Sequence, residues 1–198
     1  TTLFRSQRGL RRRSEMMRYL GACVFWGIQF EDDPQHAPAL QRAGWLDEAR
    51  RRTARPALLP LLWEIDNDLE AQAGDRSEIA RLVALCRRFY AESQVSKHWS
   101  LIDVMRAAWP RRAERIGDQA LRRLADRCAD LLREIGLTGP DALVYASLVP
   151  QLGLYFLRDP LYPWAGPAFA GEERGEARSL AIGEALLWYW TGLRSLDG

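Results

Sequence analysis

The chain has 198 residues, of which 47% are hydrophobic and 27% are charged, with a formal net charge of +2. A chain of this size and composition can bury a proper core, which excludes a disordered protein. Its apolar runs are short and broken by charges, which excludes a transmembrane helix of about 20 residues. Because no signal peptide is visible either, we expect a cytoplasmic protein.

The predicted N-terminal arm, residues 1–13, is strongly basic. Only Glu15 opposes the cations of the first twenty residues, which are Arg5, Arg8, Arg11, Arg12, Arg13 and Arg18. Such an arm could bind nucleic acid or an acidic partner, and the alternative is a solvated tail that leads into a helix. Since Lys97 is the sole lysine, the abundance of arginine indicates compositional bias. We therefore favour the tail and do not expect nucleic-acid binding.

Apolar residues recur at helical spacing along most of the chain. A helix beginning at Ser77, as its N-cap, carries Cys86 on its core stripe. A longer helix runs from Pro110 to Ile135 and ends at Gly136. Shorter helices are predicted at Ser14–Trp26, Asp47–Ala54, Ala57–Ala71, His98–Ala108, Pro140–Val149 and Glu173–Trp190. No stretch alternates convincingly enough to be a strand.

The three cysteines, Cys23, Cys86 and Cys128, are widely separated and form no CxxC pair. Their odd number, without a histidine at ligand spacing, argues against a disulfide framework or a zinc site. We interpret them as reduced core residues.

Two segments resemble each other within the chain. "GIQFEDDP" starts at Gly27 and "GLYFLRDP" starts at Gly153, and Phe30 and Phe156 fall at the same position, an offset of 126 residues. Near the same offset the sequence also pairs Glu15 with Asp141, Tyr19 with Tyr145, Ala43 with Ala170 and Arg50 with Arg178. We interpret these segments as two helix-loop-helix repeats.

Each repeated segment has a physical explanation. A helix ends at Gly27 or Gly153, where glycine permits a left-handed cap. The following phenylalanine turns inward, and the aspartate of Asp-Pro caps the next short turn. We therefore expect Asp33 and Asp159 to be structural caps and not catalytic acids.

These patterns predict an all-α protein, an irregular helical bundle in which two degenerate helix-loop-helix repeats flank long central helices. We expect a single domain over residues 1–198. Its parts are the basic arm 1–13, repeat unit 1 at 14–71, the central helices at 77–135 and repeat unit 2 at 137–192.

No motif of a known catalytic class is present: the sequence lacks a phosphate-binding glycine loop, a GxSxG elbow and an HExxH motif. The acidic cluster Glu64, Asp66, Asp68 and Glu70 lacks the glycine and the distal glutamate of a calcium loop, and is interpreted as a solvated helix face. His36 and His98 could each be a general base, but we expect surface or capping roles. No enzyme activity, metal or cofactor is predicted.

Aromatic residues are unusually abundant, with eight tryptophans. The consecutive aromatics "WYW" at 188–190 cannot all face one core, because successive helical residues are about 100° apart. Tryptophan and tyrosine dominate protein-protein hot spots. The predicted partner-binding residues are Tyr155, Tyr162, Trp164, Trp188 and Trp190; the alternative is that these aromatics close the core.

The C-terminal third resembles a small all-helical family found in bacterial type VI secretion effector clusters. The family shows a Tyr-Gly-Ile/Leu segment, a helix that begins near an aspartate, a Leu-Gly-x-x-Phe turn and then Asp-Pro-x-x-Pro-Trp. The matching residues here are Gly136-Leu137, Asp141, Leu152-Gly153, Phe156, Asp159-Pro160 and Pro163-Trp164. Ile135 stands where the family has tyrosine. The resemblance covers about sixty residues.

Members of that family are encoded beside effectors and adaptor chaperones, so the resemblance implies an accessory role. It implies a cytoplasmic chaperone or co-chaperone that binds an adaptor, a toxic effector or both, with no catalytic residue, cofactor or membrane partner. The alternatives are an immunity protein that neutralises a cognate toxin and an enzyme with an unrecognised helical site. Homodimerisation is left open.

Overall fold

The computed structural model describes residues 13–27, 29–43, 45, 64, 76–91, 99–170 and 176–194. These residues form nine α-helices and one 3-10 turn, with no strand among them, which confirms the all-α class. The chain divides into two compact units, residues 1–73 and 74–198. None of the described helices combines the length and apolar character needed to span a membrane.

Unit 1 contains α1 (Arg13–Trp26) and α2 (Ala37–Arg42). Its core is built from aromatic rings: the centroid of Tyr19 lies 5.5 Å from that of Phe30 and 5.9 Å from that of Trp45. Trp45 also donates its indole N–H to Glu31 at 2.8 Å, so the ring is fixed at both its apolar and its polar end.

Unit 2 forms the larger core. Its elements are α3 (Arg76–Ala91), α4 (Leu101–Ala108), α5 (Pro110–Ile116), α6 (Asp118–Ile135), α7 (Gly139–Leu152), a 3-10 turn (Phe156–Arg158), α8 (Ala165–Ala170) and α9 (Glu176–Arg194). Helix α7 is central, and residues 143–150 are buried on every side. A helix that is apolar all round is typical of a buried position.

The turns after α1 and α7 share their local geometry. Gly27 has φ 87° and Gly153 has φ 89°; ψ of Gly153 is 160°, so it lies outside the left-handed helical region in which a cap was predicted. Asp33 accepts the backbone N–H of Gln35 at 3.0 Å, and Asp159 accepts that of Leu161 at 3.0 Å. These bonds confirm the predicted capping role of both aspartates.

The prediction of one helix from Pro110 to Ile135 is wrong in one respect, because this segment forms two helices, α5 and α6. Gly117, at φ 80° and ψ 153°, ends α5 and precedes α6. Only glycine adopts this conformation without strain, so the chain turns there despite the helical pattern on both sides. Gly136, at φ 72° and ψ 19°, ends α6 as predicted.

Other element boundaries also differ from the prediction. Helix α3 begins at Arg76, so Ser77 is its second residue and not its N-cap. The short helices α2 and α8 were not predicted, because six residues carry too little periodicity. The predicted helices at 47–54 and 57–71 lie outside the described residues, apart from Glu64.

Two polar residues predicted to be solvated are instead buried. Glu64 accepts two hydrogen bonds from Arg42, at 2.9 and 2.6 Å, and this fork lets the carboxylate leave water. His36 stacks on Trp26, with 4.5 Å between ring centroids, and its side chain makes no cap at the start of α2. His98, the arm 1–12 and the other three acids of the cluster lie outside the described residues.

None of the three cysteines is in a disulfide; Cys86 and Cys128 are buried and Cys23 is half-buried. Burial raises the pKa of Cys86 to about 11 from its ordinary value of 9, although a hydrogen bond with Ser147 partly offsets the rise. A raised pKa in the folded state means that the unfolded chain loses this proton first.

We therefore expect the contribution of Cys86 to the free energy of unfolding to be constant below pH 9 and to fall as the pH rises from 9 towards 11. Urea titrations at pH 8, 9.5 and 10.5 measure this. In Cys86→Ala the fall should be smaller, because one titrating thiol is absent. A variant whose stability declines as steeply as that of the wild type would show that Cys86 is not responsible.

Candidate functional site

The inner face of α9 packs on α3. Ile182 and Leu186 are buried one helical turn apart, and Gly183 lies beside them. A Cβ placed on Gly183 would stand 2.6 Å from Cγ2 of Val83. Glycine thus allows the two helices to approach more closely than any other residue would at this position.

Replacing Gly183 by alanine should destabilise the protein by about 2 kcal/mol, because the β-branched Val83 cannot rotate away easily within a helix. Gly21→Ala is the matched control: nothing lies within 4 Å of its added Cβ, so the better helix propensity of alanine should stabilise by up to about 1 kcal/mol. Urea denaturation measures both. The double variant Gly183→Ala/Val83→Ala should recover part of the loss, and no recovery would exclude the clash as the cause.

An ion pair holds the first turn of α9 to α7. The Nη1 atom of Arg178 lies 2.7 Å from Oδ2 of Asp141, although the two are not aligned as a hydrogen bond. Arg178 is 1% exposed and also donates from Nη2 to the carbonyl of Phe169 at 3.3 Å. Tyr90 donates its hydroxyl to the other oxygen of Asp141. Asp141 thus accepts a hydrogen bond from α3 and forms an ion pair with α9.

This network also sets the ionisation of Tyr90. Burial raises the pKa of Tyr90 well above its ordinary value, and the hydrogen bond to Asp141 and the negative charge of Asp141 raise it further. Tyr90 therefore stays a neutral donor at physiological pH. The arrangement suits a structural anchor, because each member is occupied by another.

The outer face of α9 carries two large apolar residues that are exposed in the described part of unit 2. Trp188 is 75% exposed and Leu180 is 40% exposed, and both lie on the same side of the helix as the exposed Glu184. Their spacing of four residues places all three in one row. The row is opposite to the buried Ile182 and Leu186, so it is the solvent-exposed face of α9.

The other predicted partner-binding residues have different positions. Tyr155 is half-buried, and its hydroxyl accepts from Nη2 of Arg127 at 3.3 Å. Tyr162 is buried and contributes little surface that a partner could contact. Trp190 lies in α9, but its side chain is outside the described part of the structure.

Trp164 is half-buried against the core immediately before α8. Its indole N–H is buried and has no acceptor in the part of the chain that the structure describes. An unsatisfied buried donor costs about 1–3 kcal/mol. Because this N–H is itself shielded, only the part of the ring that stays exposed could contact a partner.

Leu180 was absent from the predicted set. The signal for it was present, since Leu180 and Trp188 are eight residues apart and share a face once α9 is known to be continuous. The sequence alone does not distinguish the outer face of α9 from the inner face, because leucines and alanines occur on both.

Among the described residues, no group of three or more His, Cys, Asp or Glu is placed to hold a metal ion.

Comparison with protein-family models, with curated proteins and with solved structures yields no match to this chain.

Proposed function

We propose that this chain is a non-enzymatic accessory protein of a bacterial type VI secretion effector module. It acts in the cytoplasm as a chaperone or co-chaperone that binds an adaptor, a toxic effector or both, for loading and delivery. The observation that carries the proposal is the outer face of α9, where Trp188 and Leu180 stand exposed in one row.

The residues that resemble the secretion-associated family support a binding role, because those that the structure describes build the fold. Phe156 packs in the core, its ring 4.7 Å from that of Tyr145. Asp159 is buried and its carboxylate accepts the N–H of Leu161. The motif thus shapes the loop that ends at Trp164, as a scaffold would.

The mechanism follows from the exposed row. Trp188 presents a large amphipathic ring at low conformational cost, which is why tryptophan is enriched in hot spots. Burying Trp188 against a partner would contribute about 2–3 kcal/mol, and Leu180, which is only 40% exposed, would contribute less. Glu184, between them, would favour a partner with a basic residue opposite the row. Binding needs no turnover and no cofactor.

Pairwise co-expression tests this function. The full chain is co-purified with each product of the neighbouring genes, and each effector is supplied both whole and as its isolated toxin domain. A chaperone binds the adaptor or a non-catalytic region of the effector. Binding to the toxin domain alone, together with rescue of growth from that toxin, would replace the proposal by the immunity function.

A further inference from the structure

Helices α1 and α7 are counterparts in detail. Both have 14 residues, Arg13–Trp26 and Gly139–Leu152. In the turns that follow, the backbone N–H of Asp32 donates to the carbonyl of Gln29 at 3.0 Å. The backbone N–H of Arg158 donates to the carbonyl of Tyr155 at 2.9 Å. The offset between the two bonds is again 126 residues. A position on α1 can therefore be compared with the position 126 residues later on α7.

The two helices use one face in the same way. On α1 the core face includes Tyr19 and Ala22, and on α7 the corresponding Tyr145 and Leu148 are buried as well. In both units the tyrosine packs on the phenylalanine of the following turn.

The opposite faces differ sharply. Met17 and Leu20 are 60% and 48% exposed, whereas their counterparts Leu143 and Ala146 are 4% and 0% exposed. Beside them, a Cβ added to Gly21 would meet nothing within 4 Å.

Unit 2 shows what this face of the helix accepts. Ser147, the counterpart of Gly21, lies 3.8 Å from the sulfur of Cys86 on α3, and its carbonyl accepts the indole N–H of Trp109 at 2.7 Å. Trp109 connects α4 to α5. The covering layer in unit 2 is therefore made of amphipathic helices, and glycine at position 21 would let a similar helix approach α1 closely.

The charge of the sequence that leads into α1 and forms its first part limits the chemistry of such a helix. The sequence from Arg5 to Arg18 holds six arginines and one acid, Glu15. A helix lying along α1 would gain from acidic residues beside its apolar stripe, because opposite charges steer encounter and fix register. A basic helix would be repelled.

We propose that the face of α1 formed by Met17, Leu20 and Gly21 binds an amphipathic, acidic helix of a protein partner. This surface belongs to unit 1 and does not depend on the outer face of α9. The partner supplies for α1 the kind of cover that α3 and α4 supply for α7.

Site-specific cross-linking identifies the partner. Benzoylphenylalanine is placed at position 20 of the full chain, or at the exposed Gln41 as the control, and the cells that naturally express the chain are irradiated. The proposal expects one protein to be linked from position 20 and not from position 41, through a peptide that forms an amphipathic helix with excess Asp and Glu. Links within the same chain, to a second copy or to nucleic acid, or equal labelling from both positions, would overturn it.

Calorimetry with the purified partner then tests the chemistry. Leu20→Glu should weaken binding by about tenfold or more, Leu20→Arg should weaken it less, and Gln41→Glu should leave it unchanged. Unchanged binding by Leu20→Glu, or weaker binding by Leu20→Arg than by Leu20→Glu, would refute the acidic helix. Trp188→Ala should still bind this partner normally, so a failure here is distinguishable from failure of the α9 surface.

Discussion

Replacing Asp141 by alanine will lower the free energy of unfolding by about 3–5 kcal/mol, because it removes the carboxylate that lies 2.7 Å from the buried guanidinium of Arg178. Arg178 is 1% exposed, so water cannot take over the role of the carboxylate. The variant also removes the acceptor of the Tyr90 hydroxyl. Urea denaturation followed by circular dichroism measures the loss. It would be a large part of the stability of a domain of this size.

The matched control is Asp118→Ala, which removes the ion pair with Arg106 at 2.8 Å, whose side chains are 46% and 76% exposed. Such a pair is worth less than about 1 kcal/mol. The double variant Asp141→Ala/Arg178→Met removes the buried charge altogether and should recover most of the stability. If Asp141→Ala costs no more than Asp118→Ala, or if the double variant recovers nothing, the pair does not anchor α9.

Replacing Trp188 by alanine will weaken binding of the adaptor or effector by about 30-fold or more, as expected for the loss of a central hot-spot tryptophan. The exposure of the ring means that the free protein should lose less than about 1 kcal/mol of stability. Isothermal titration calorimetry with the purified partner measures the affinity, and urea denaturation checks the fold.

Leu180→Ala should have a smaller effect on the same affinity, since it removes less apolar area. Gln119→Ala, an exposed change on α6, is the neutral control. If Trp188→Ala and the Leu180→Ala/Trp188→Ala double variant both bind the partner with wild-type affinity, the outer face of α9 is not part of the interface.

Much of the fold follows from local rules that the sequence displays. The stripe from Leu121 to Leu131 identifies α6, and Gly136 ends it because a left-handed residue follows the last turn. The capping bonds of Asp33 and Asp159 were also predictable from local rules, because an aspartate carboxylate lies close to the backbone N–H two residues later.

What the sequence did not show depends on contacts between distant residues. Glu64 is buried only because Arg42, from another part of unit 1, pairs with it. Asp141 and Arg178 each fell at a repeated position in the sequence. No local pattern indicates that these two residues, 37 positions apart, form an ion pair. The exposed row on α9 likewise emerges only once α3 is known to cover the other face.

Measuring secretion of the effector distinguishes a delivery chaperone from an immunity protein. The gene for this chain is deleted and complemented with the wild type or with Trp188→Ala, and the effector is quantified in cells and medium. We expect secretion to fall in the deletion strain and in the Trp188→Ala strain, while the producing cells stay resistant to the toxin. Normal secretion, combined with self-intoxication of the deletion strain, would contradict a chaperone and identify an immunity protein.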